Sequence, residues 1–260
     1  MKLLFFGTCS GTQPFPGRHH TSFAIEHRDK LYWFDAGETC SYTAHCMGVD
    51  LLKTSKIVIS HTHMDHIGGL GNLLWNIRKI NGITNAFEGR KLELFIPQIE
   101  AWEGLQQMLA YTEGGFQCNF SIDAREYADG IVFEEDGFRV TALHNRHIKK
   151  QLKQGEKWRS FGFLIEAEGK RIVYSGDTNG FEDLAPLLHP QCDILLMETG
   201  HHHPVDFTKE LVNHPDCPKK LLFIHHGRKI LDSFEEMHAG IKAVMGERVE
   251  IMSDEMVLEI

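Results

Sequence analysis

His61-Thr62-His63-Met64-Asp65-His66-Ile67-Gly68-Gly69 places four ligand-type side chains within six residues. It follows a short, mostly apolar run, 54–60 (TSKIVIS), that reads as a strand. It precedes a segment, 67–80, in which Leu70, Leu73, Leu74, Ile77 and Ile80 fall near helical spacing. In extended chain His61 and His63 project to the same side. Asp65 and His66 come one turn later, where the helix begins, and aim at a second point nearby. Four ligand-type side chains packed this closely suit two cations held near one another. Imidazole with carboxylate favours zinc, or a similar first-row ion, over calcium or magnesium.

One such segment cannot fill two coordination spheres, so further ligands are expected at other strand ends. His144 ends an expected strand over 138–143, Asp177 follows one over 171–175, and His225 ends one over 220–224. His226 is a direct neighbour, so either histidine could be the last ligand. Asp35 closes an expected strand over 30–35 and is placed to support the ligands rather than to be one. Further strands are expected over 2–6, 22–27, 91–96, 131–135, 160–166 and 192–198. Helices are expected over 99–111, 181–188, 207–213 and 234–244, and two short strands around Ser253-Asp254. Tight hairpins with helices interspersed point to two sheets covered by helices. No linker, repeat or low-complexity tract divides residues 1–260, which read as a single domain.

Composition narrows the function. The 260 residues are 42% hydrophobic and 24% charged, ordinary for a globular protein. No stretch approaches the ~18 unbroken apolar residues of a membrane span, so no membrane partner is expected. The opening MKLLFF is cut short by Gly7 and reads as a strand rather than a secretion signal. The six cysteines form no CxxC pair and read as reduced thiols in a cytoplasmic protein. A net charge of −9 excludes a broad nucleic-acid surface. Any RNA contact would come from a local basic loop, Arg146, Lys149, Lys150, Lys153, Lys157 and Arg159, with Glu156 its single acid. The 17 histidines are the outlier, and they direct the search to metal or acid–base chemistry. His147, His201 and His202 carry no assignment at this level.

With these residues in view, HTHMDH, the later His144, Asp177 in Ser175-Gly176-Asp177-Thr178, and His225 resemble the metallo-β-lactamase superfamily over nearly the whole chain. Within it the chain is most similar to the ribonuclease Z and phosphodiesterase branch. Phe6-Gly7-Thr8-Cys9-Ser10-Gly11 is similar to that branch's opening glycine loop, and Asp35-Ala36-Gly37-Glu38 to its second-strand motif. The resemblance implies an α/β fold, a four-layer αββα sandwich of two mixed sheets flanked by helices. It implies one zinc on His61, His63 and His144, a second on Asp65, His66 and His225, and Asp177 bridging them. Manganese or iron would suit the same ligands. Glu198 and His203 match by position a glutamate and a histidine that assist at the phosphate in that branch.

The function this implies is a dinuclear-metal hydrolase, foremost a phosphodiesterase, in which hydroxide shared by the ions attacks phosphorus and Asp65 orients it. The substrate would be a phosphorylated small molecule or nucleotide, including a small cyclic diester. A tRNA 3′-end endonuclease is the alternative, but the interval between His144 and Asp177 leaves no room for the long arm that grips tRNA in ribonuclease Z. A non-catalytic metal-binding sensor on the same fold is the alternative from a different class. The resemblance also admits a homodimer.

Overall fold

The structure is a computed structural model that describes residues 1–149 and 151–260; Lys150 of the expected basic loop lies outside the described residues. Their contacts divide into two compact units. The first comprises Met1–Gly7, His19–Tyr127 and Asp254–Ile260; the second comprises Thr8–Arg18 and Ala128–Ser253. Each unit holds one mixed seven-stranded sheet among its described residues, with helices beside it. The two sheets expected from the hairpin pattern are both present.

In the first unit the order is β14-β1-β2-β3-β4-β5-β6, where β1 is Lys2–Gly7, β2 Ser22–His27, β3 Lys30–Phe34, β4 Thr54–Val58, β5 Lys91–Ile96, β6 Ser121–Glu126 and β14 Val257–Glu259. The β2–β3 hairpin turns on Arg28 and Asp29, at φ +47° and +63°, the positive pair that a two-residue type I′ turn needs. From β3 onward the strands run parallel. Helices α1 (Cys40–Cys46), α2 (Met64–Ile67), α3 (Leu70–Thr84) and α4 (Ile99–Ala110) accompany them. Leu70, Leu73, Leu74 and Ile77 of α3 join Trp33, Ile57 and Trp102 in one buried cluster.

The single helix expected over 67–80 is two. Gly68 and Gly69 part them: Gly69 N donates to Ala36 O at 2.8 Å, and a Cβ on Gly69 would stand 2.1 Å from Gly37 O. The expectation also misses α1 and β6. The β6 sequence, SIDARE, is largely exposed at the sheet edge and has no apolar alternation to betray it.

In the second unit the order is β13-β12-β11-β10-β9-β8-β7, where β7 is Gly130–Glu135, β8 Phe138–His144, β9 Phe161–Ala167, β10 Lys170–Tyr174, β11 Ile194–Thr199, β12 Lys220–His226 and β13 Val249–Ile251. Hairpins join β7 to β8 at Asp136-Gly137 and β9 to β10 at Glu168-Gly169, all four residues at positive φ. From β10 to β13 the strands are parallel. Helices α5 (Phe181–Leu188), α6 (Pro204–Leu211), α7 (Arg228–Asp232) and α8 (Phe234–Met245) bury Leu184, Phe207, Leu211 and Ile241 with Leu195, Leu221 and Phe223. Helix α6 begins at Pro204, before the expected 207, because proline at the first helical turn starts the helix rather than breaking it.

Candidate metal centre

In the first unit the HTHMDH residues gather at the end of β4. His61 and His66 are fully buried, Asp65 is nearly so, and His63 is exposed. His61 Nε2 lies 3.0 Å from His63 Nδ1, and the His61 and His66 ring centroids are 4.0 Å apart. His66 Nε2 lies 3.4 Å from Asp65 Oδ2. Three imidazoles and a carboxylate thus meet at the strand end, all but His63 buried.

Asp35 supports them. It ends β3 in the left-handed region, at φ +58°, a conformation a non-glycine residue adopts only when its surroundings hold it there. Its Oδ2 is 2.8 Å from His66 Nδ1, its Oδ1 accepts from Ser60 N at 2.6 Å, and the Ser60 hydroxyl donates to Oδ2 at 2.8 Å. A carboxylate on one ring nitrogen fixes the tautomer and turns the other nitrogen toward a metal. Tyr127 donates to Ile59 O at 2.6 Å, and burial, with the Asp35 charge, drives its phenol well above the usual range.

In the second unit the centre of the cluster is Asp177, which follows β10. Its Oδ1 lies 3.2 Å from His225 Nε2. Its Oδ2 lies 3.6 Å from His147 Nε2 and 3.9 Å from His201 Nδ1. Beneath stands Glu198, at 0% exposure on β11. Its Oε1 is 3.1 Å from His201 Nδ1 and 3.4 Å from His202 Nε2, and its Oε2 is 3.7 Å from His225 Nδ1. Burial would raise the Glu198 carboxyl, but hydrogen bonds from His201 and His225 hold it down at about 2. The same bond from Glu198 raises the His201 pKa against the opposing effect of burial. Glu198, His201 and His225 offer ligand atoms within 4.8 Å of one another.

A β-bulge separates His225 from its neighbour. The β11–β12 register pairs Glu198 with Ile224 and then Thr199 with His226, so His225 is the extra residue, at φ +51°. The bulge turns its ring to Asp177. His226 stays in the ladder, fully buried, with Nε2 2.7 Å from Met252 O and Nδ1 3.3 Å from Thr199 Oγ1. Burial pushes the His226 imidazole down to about 3, so it stands neutral. Of the two, His225 is the one beside Asp177.

Three readings from sequence need correction. His144 does not stand in this cluster: His147 does. The His144 backbone N–H donates to Asp129 Oδ1 at 2.6 Å, its Nδ1 lies 2.6 Å from Asp129 Oδ2, and its ring stacks on Trp158 at 4.1 Å. The strand runs one residue further than expected and ends on His144; the chain must leave it before a side chain can reach Asp177. Glu198, expected at the phosphate, is fully buried with His201, His202 and His225 about its oxygens. Arg146 is no part of an open basic rim, because its Nε donates to Asp183 at 2.6 Å and Nη2 to Glu182 at 3.0 Å. Lys149, in the same loop, pairs with Glu156 at 2.9 Å.

His203 stands at the N-terminus of α6, its Nδ1 3.4 Å from Asp206 Oδ2 and without a hydrogen-bond partner. His147 and His201 are the residues the sequence reading missed. The signal for His147 was the spacing His144-Asn145-Arg146-His147, from which the strand-end rule selects the first histidine. His201 gave none beyond following Glu198 by one helical turn's spacing.

A family model described as "Anti-Pycsar protein Apyc1" matches residues 1–245. Ribonuclease Z of Methanothermobacter thermautotrophicus is 32% identical over 151 residues, covering 56% of this chain and 45% of that protein, so the chain spans less than half of that relative's length. Ribonuclease Z of Bacillus licheniformis is 32% identical over 303 aligned residues, covering 92% of this chain and 94% of that protein. Among solved structures, the metallo-β-lactamase fold protein YhfI from Bacillus subtilis superposes with a TM-score of 0.75 at 17% identity, over 99% of this chain and 98% of that one.

Proposed function

The chain belongs to the anti-Pycsar protein Apyc1 family, of metallo-β-lactamase fold and related to ribonuclease Z, and from that membership we propose that it is a metal-dependent phosphodiesterase. The observation that carries the reading is the Asp177 carboxylate, buried, with imidazoles at both of its oxygens. The donor set fits a first-row divalent ion. It consists of imidazole and carboxylate, and the carboxylates Asp35 and Glu198 face the far ring nitrogens of His66 and His225. His61, His63, Asp65 and His66 of the first unit and His147, Asp177 and His225 of the second are the proposed ligands, with two zinc ions as their cofactor.

Such ions, when bound, lower the pKa of water toward neutrality and offset charge on the phosphate. The remaining work falls to the protein. Asp65 accepts a hydrogen bond from the attacking water and orients it. His201, held by the Glu198 carboxylate, faces the phosphate's negative oxygens. His203 gives its proton to the leaving oxygen.

The experiment is metal analysis beside hydrolysis of bis(p-nitrophenyl) phosphate, a tRNA precursor and a glutathione thioester. The reading expects bound metal and turnover of the diester. Asp177→Ala should lose metal and at least ~1000-fold in rate, on the scale of a lost metal nucleophile. Full diester turnover by that variant would refute the proposal. A tRNA 3′-end endonuclease is the second reading, favoured by the ribonuclease Z relatives. Preference for the tRNA precursor would select it, and metal without turnover of any substrate would select a sensor.

A further inference from the structure

Two of the ligand-bearing segments of the second unit are not neighbours in its sheet. His147 follows β8 and Asp177 follows β10, and β9 lies between those strands. Ladder hydrogen bonds therefore fix neither segment directly against the other. Once the chain leaves β8 after His144, its backbone donors need acceptors elsewhere. Yet His147 Nε2 comes within 3.6 Å of Asp177 Oδ2.

One carboxylate outside the proposed ligand set spans the gap. Asp183 lies in the first turn of α5, with its side chain 5% exposed. Its Oδ2 accepts from Arg146 N at 2.9 Å and from Asn179 N at 3.2 Å, and its Oδ1 accepts from Arg146 Nε at 2.6 Å. Arg146 directly precedes His147, and Asn179 is two residues past Asp177. The helix that carries Asp183 is itself held. Leu184, Leu187 and Leu188 are buried in the apolar cluster of the unit. A Cβ on Gly162 of β9 would come within 2.9 Å of Leu187 Cδ1, so the absent side chain lets α5 seat closely on the strand between the two segments. Glu182, the other acid on Arg146, is exposed, where an ion pair contributes little.

We propose that Asp183 is a positioning residue of the metal centre: its carboxylate sets how far His147 stands from Asp177. The proposal rests on the metal-dependent reading of the function and adds a determinant of that same site. The physical reason is precision. A ligand set works only when held to within about 0.5 Å of its productive geometry, and a loop that has left its strand has no ladder to hold it. Removing the Asp183 carboxylate releases Arg146 N and Asn179 N together, so both segments lose their common anchor.

The test uses cobalt(II) as the probe, because its visible absorption follows the geometry of its ligands. Asp183→Ala is expected to weaken cobalt binding, titrated against a competing chelator, by at least about tenfold, the scale of losing a partner behind a ligand. The visible band of the loaded protein should change with it. Asp193→Ala is the matched control. Asp193 likewise holds a backbone N–H and a cation, Arg171 N and Lys219 Nζ, each at 2.8 Å, but toward the end of β10 remote from Asp177. Its loss should leave both affinity and band unchanged. Wild-type affinity or an unaltered band in Asp183→Ala overturns the proposal. So does an equal loss in both variants, which would make the effect one of stability alone. Should Asp183→Ala not fold, Asp183→Asn keeps an oxygen for the two backbone donors and sets an amide N–H against Arg146 Nε. That variant should still bind cobalt more weakly than the wild type, and equal affinity overturns the proposal. A wild type that takes up no cobalt strikes the metal-dependent reading instead, before any variant is compared.

Discussion

Asp177 shows how much a single carboxylate organises. Imidazoles approach both its oxygens, and Glu198 beneath holds two of the same rings. The assignment of His147 rather than His144 can be decided by metal content alone. His147→Ala should drop the metal bound by the purified protein to half or less, whereas His144→Ala should retain it. Loss of metal in His144→Ala with retention in His147→Ala would return the assignment to the strand end. His203→Ala should keep its metal and lose about 100-fold in kcat on bis(p-nitrophenyl) phosphate, the contribution of one positioned acid. Unchanged turnover would take that role from His203. The candidate ligand motif was legible in sequence because it is local: alternation along a strand end needs no tertiary information. Glu198's burial was not, since it depends on His225 from another strand and on how the chain after β11 folds His201 and His202 back over it.

At the scale of elements, the ligand loop is located by backbone. Ala36 N donates to His66 O at 2.7 Å and Gly69 N to Ala36 O at 2.8 Å, so the loop after β3 and the turn between α2 and α3 are stitched together. A side chain at residue 69 would collide with the Gly37 carbonyl, which cannot yield without moving Asp35 nearby. Gly69→Ala should therefore cost about 1–3 kcal/mol in stability, the usual price of overpacking, and weaken metal binding together with it. A variant that melts and binds metal like the wild type would show that the stitch has slack. The sequence pattern located most strands within a residue or two, because hairpin turns and apolar runs mark them. It joined α2 to α3, because periodicity continues across Gly68-Gly69 while the chain direction does not. It placed the last ligand at one of two adjacent histidines, because a β-bulge is invisible in an apolar run.

At the scale of the whole molecule, two terms govern stability beyond the cores. The first is metal. A ligand present at a thousand times its dissociation constant stabilises the folded state by about 4 kcal/mol. Chelation should thus lower the midpoint of thermal unfolding by roughly 10 °C, and zinc should restore it. An unchanged midpoint would mean that the histidine clusters hold no ion. The second is the ion pair of Lys56 and Glu93, neighbours across β4 and β5, with side chains 4% and 15% exposed. Burial would raise the Glu93 carboxyl, but the hydrogen bonds and charges of Lys56 and Lys91 together outweigh it and hold the group below its ordinary 4.5. A depressed carboxyl stabilises the fold above its unfolded pKa and loses that contribution as the pH falls through the folded value. Stability should accordingly fall as the solution is taken below about pH 4.5. In Glu93→Gln that part of the acid sensitivity should vanish, and the variant should be less stable at neutral pH by about 1.5–3 kcal/mol, the worth of a hydrogen bond between charged groups. Identical acid titrations of the two proteins would remove the pair from this role.

Local pattern was enough to expect two sheets with helices beside them, and to single out HTHMDH, Asp177 and a histidine at 225 or 226 as the candidates for ligand chemistry. Those are properties of short-range pattern: the period of a strand, the turn chemistry of a hairpin, the donor atoms within one loop. It took the folded chain to show that His147 rather than His144 stands beside Asp177, that His225 turns out of its strand while His226 remains in it, and that Glu198 lies sealed beneath its histidines. Each of these depends on where a strand stops or bulges against its neighbour, which is fixed by pairing between segments distant along the chain rather than by the residues that carry the chemistry.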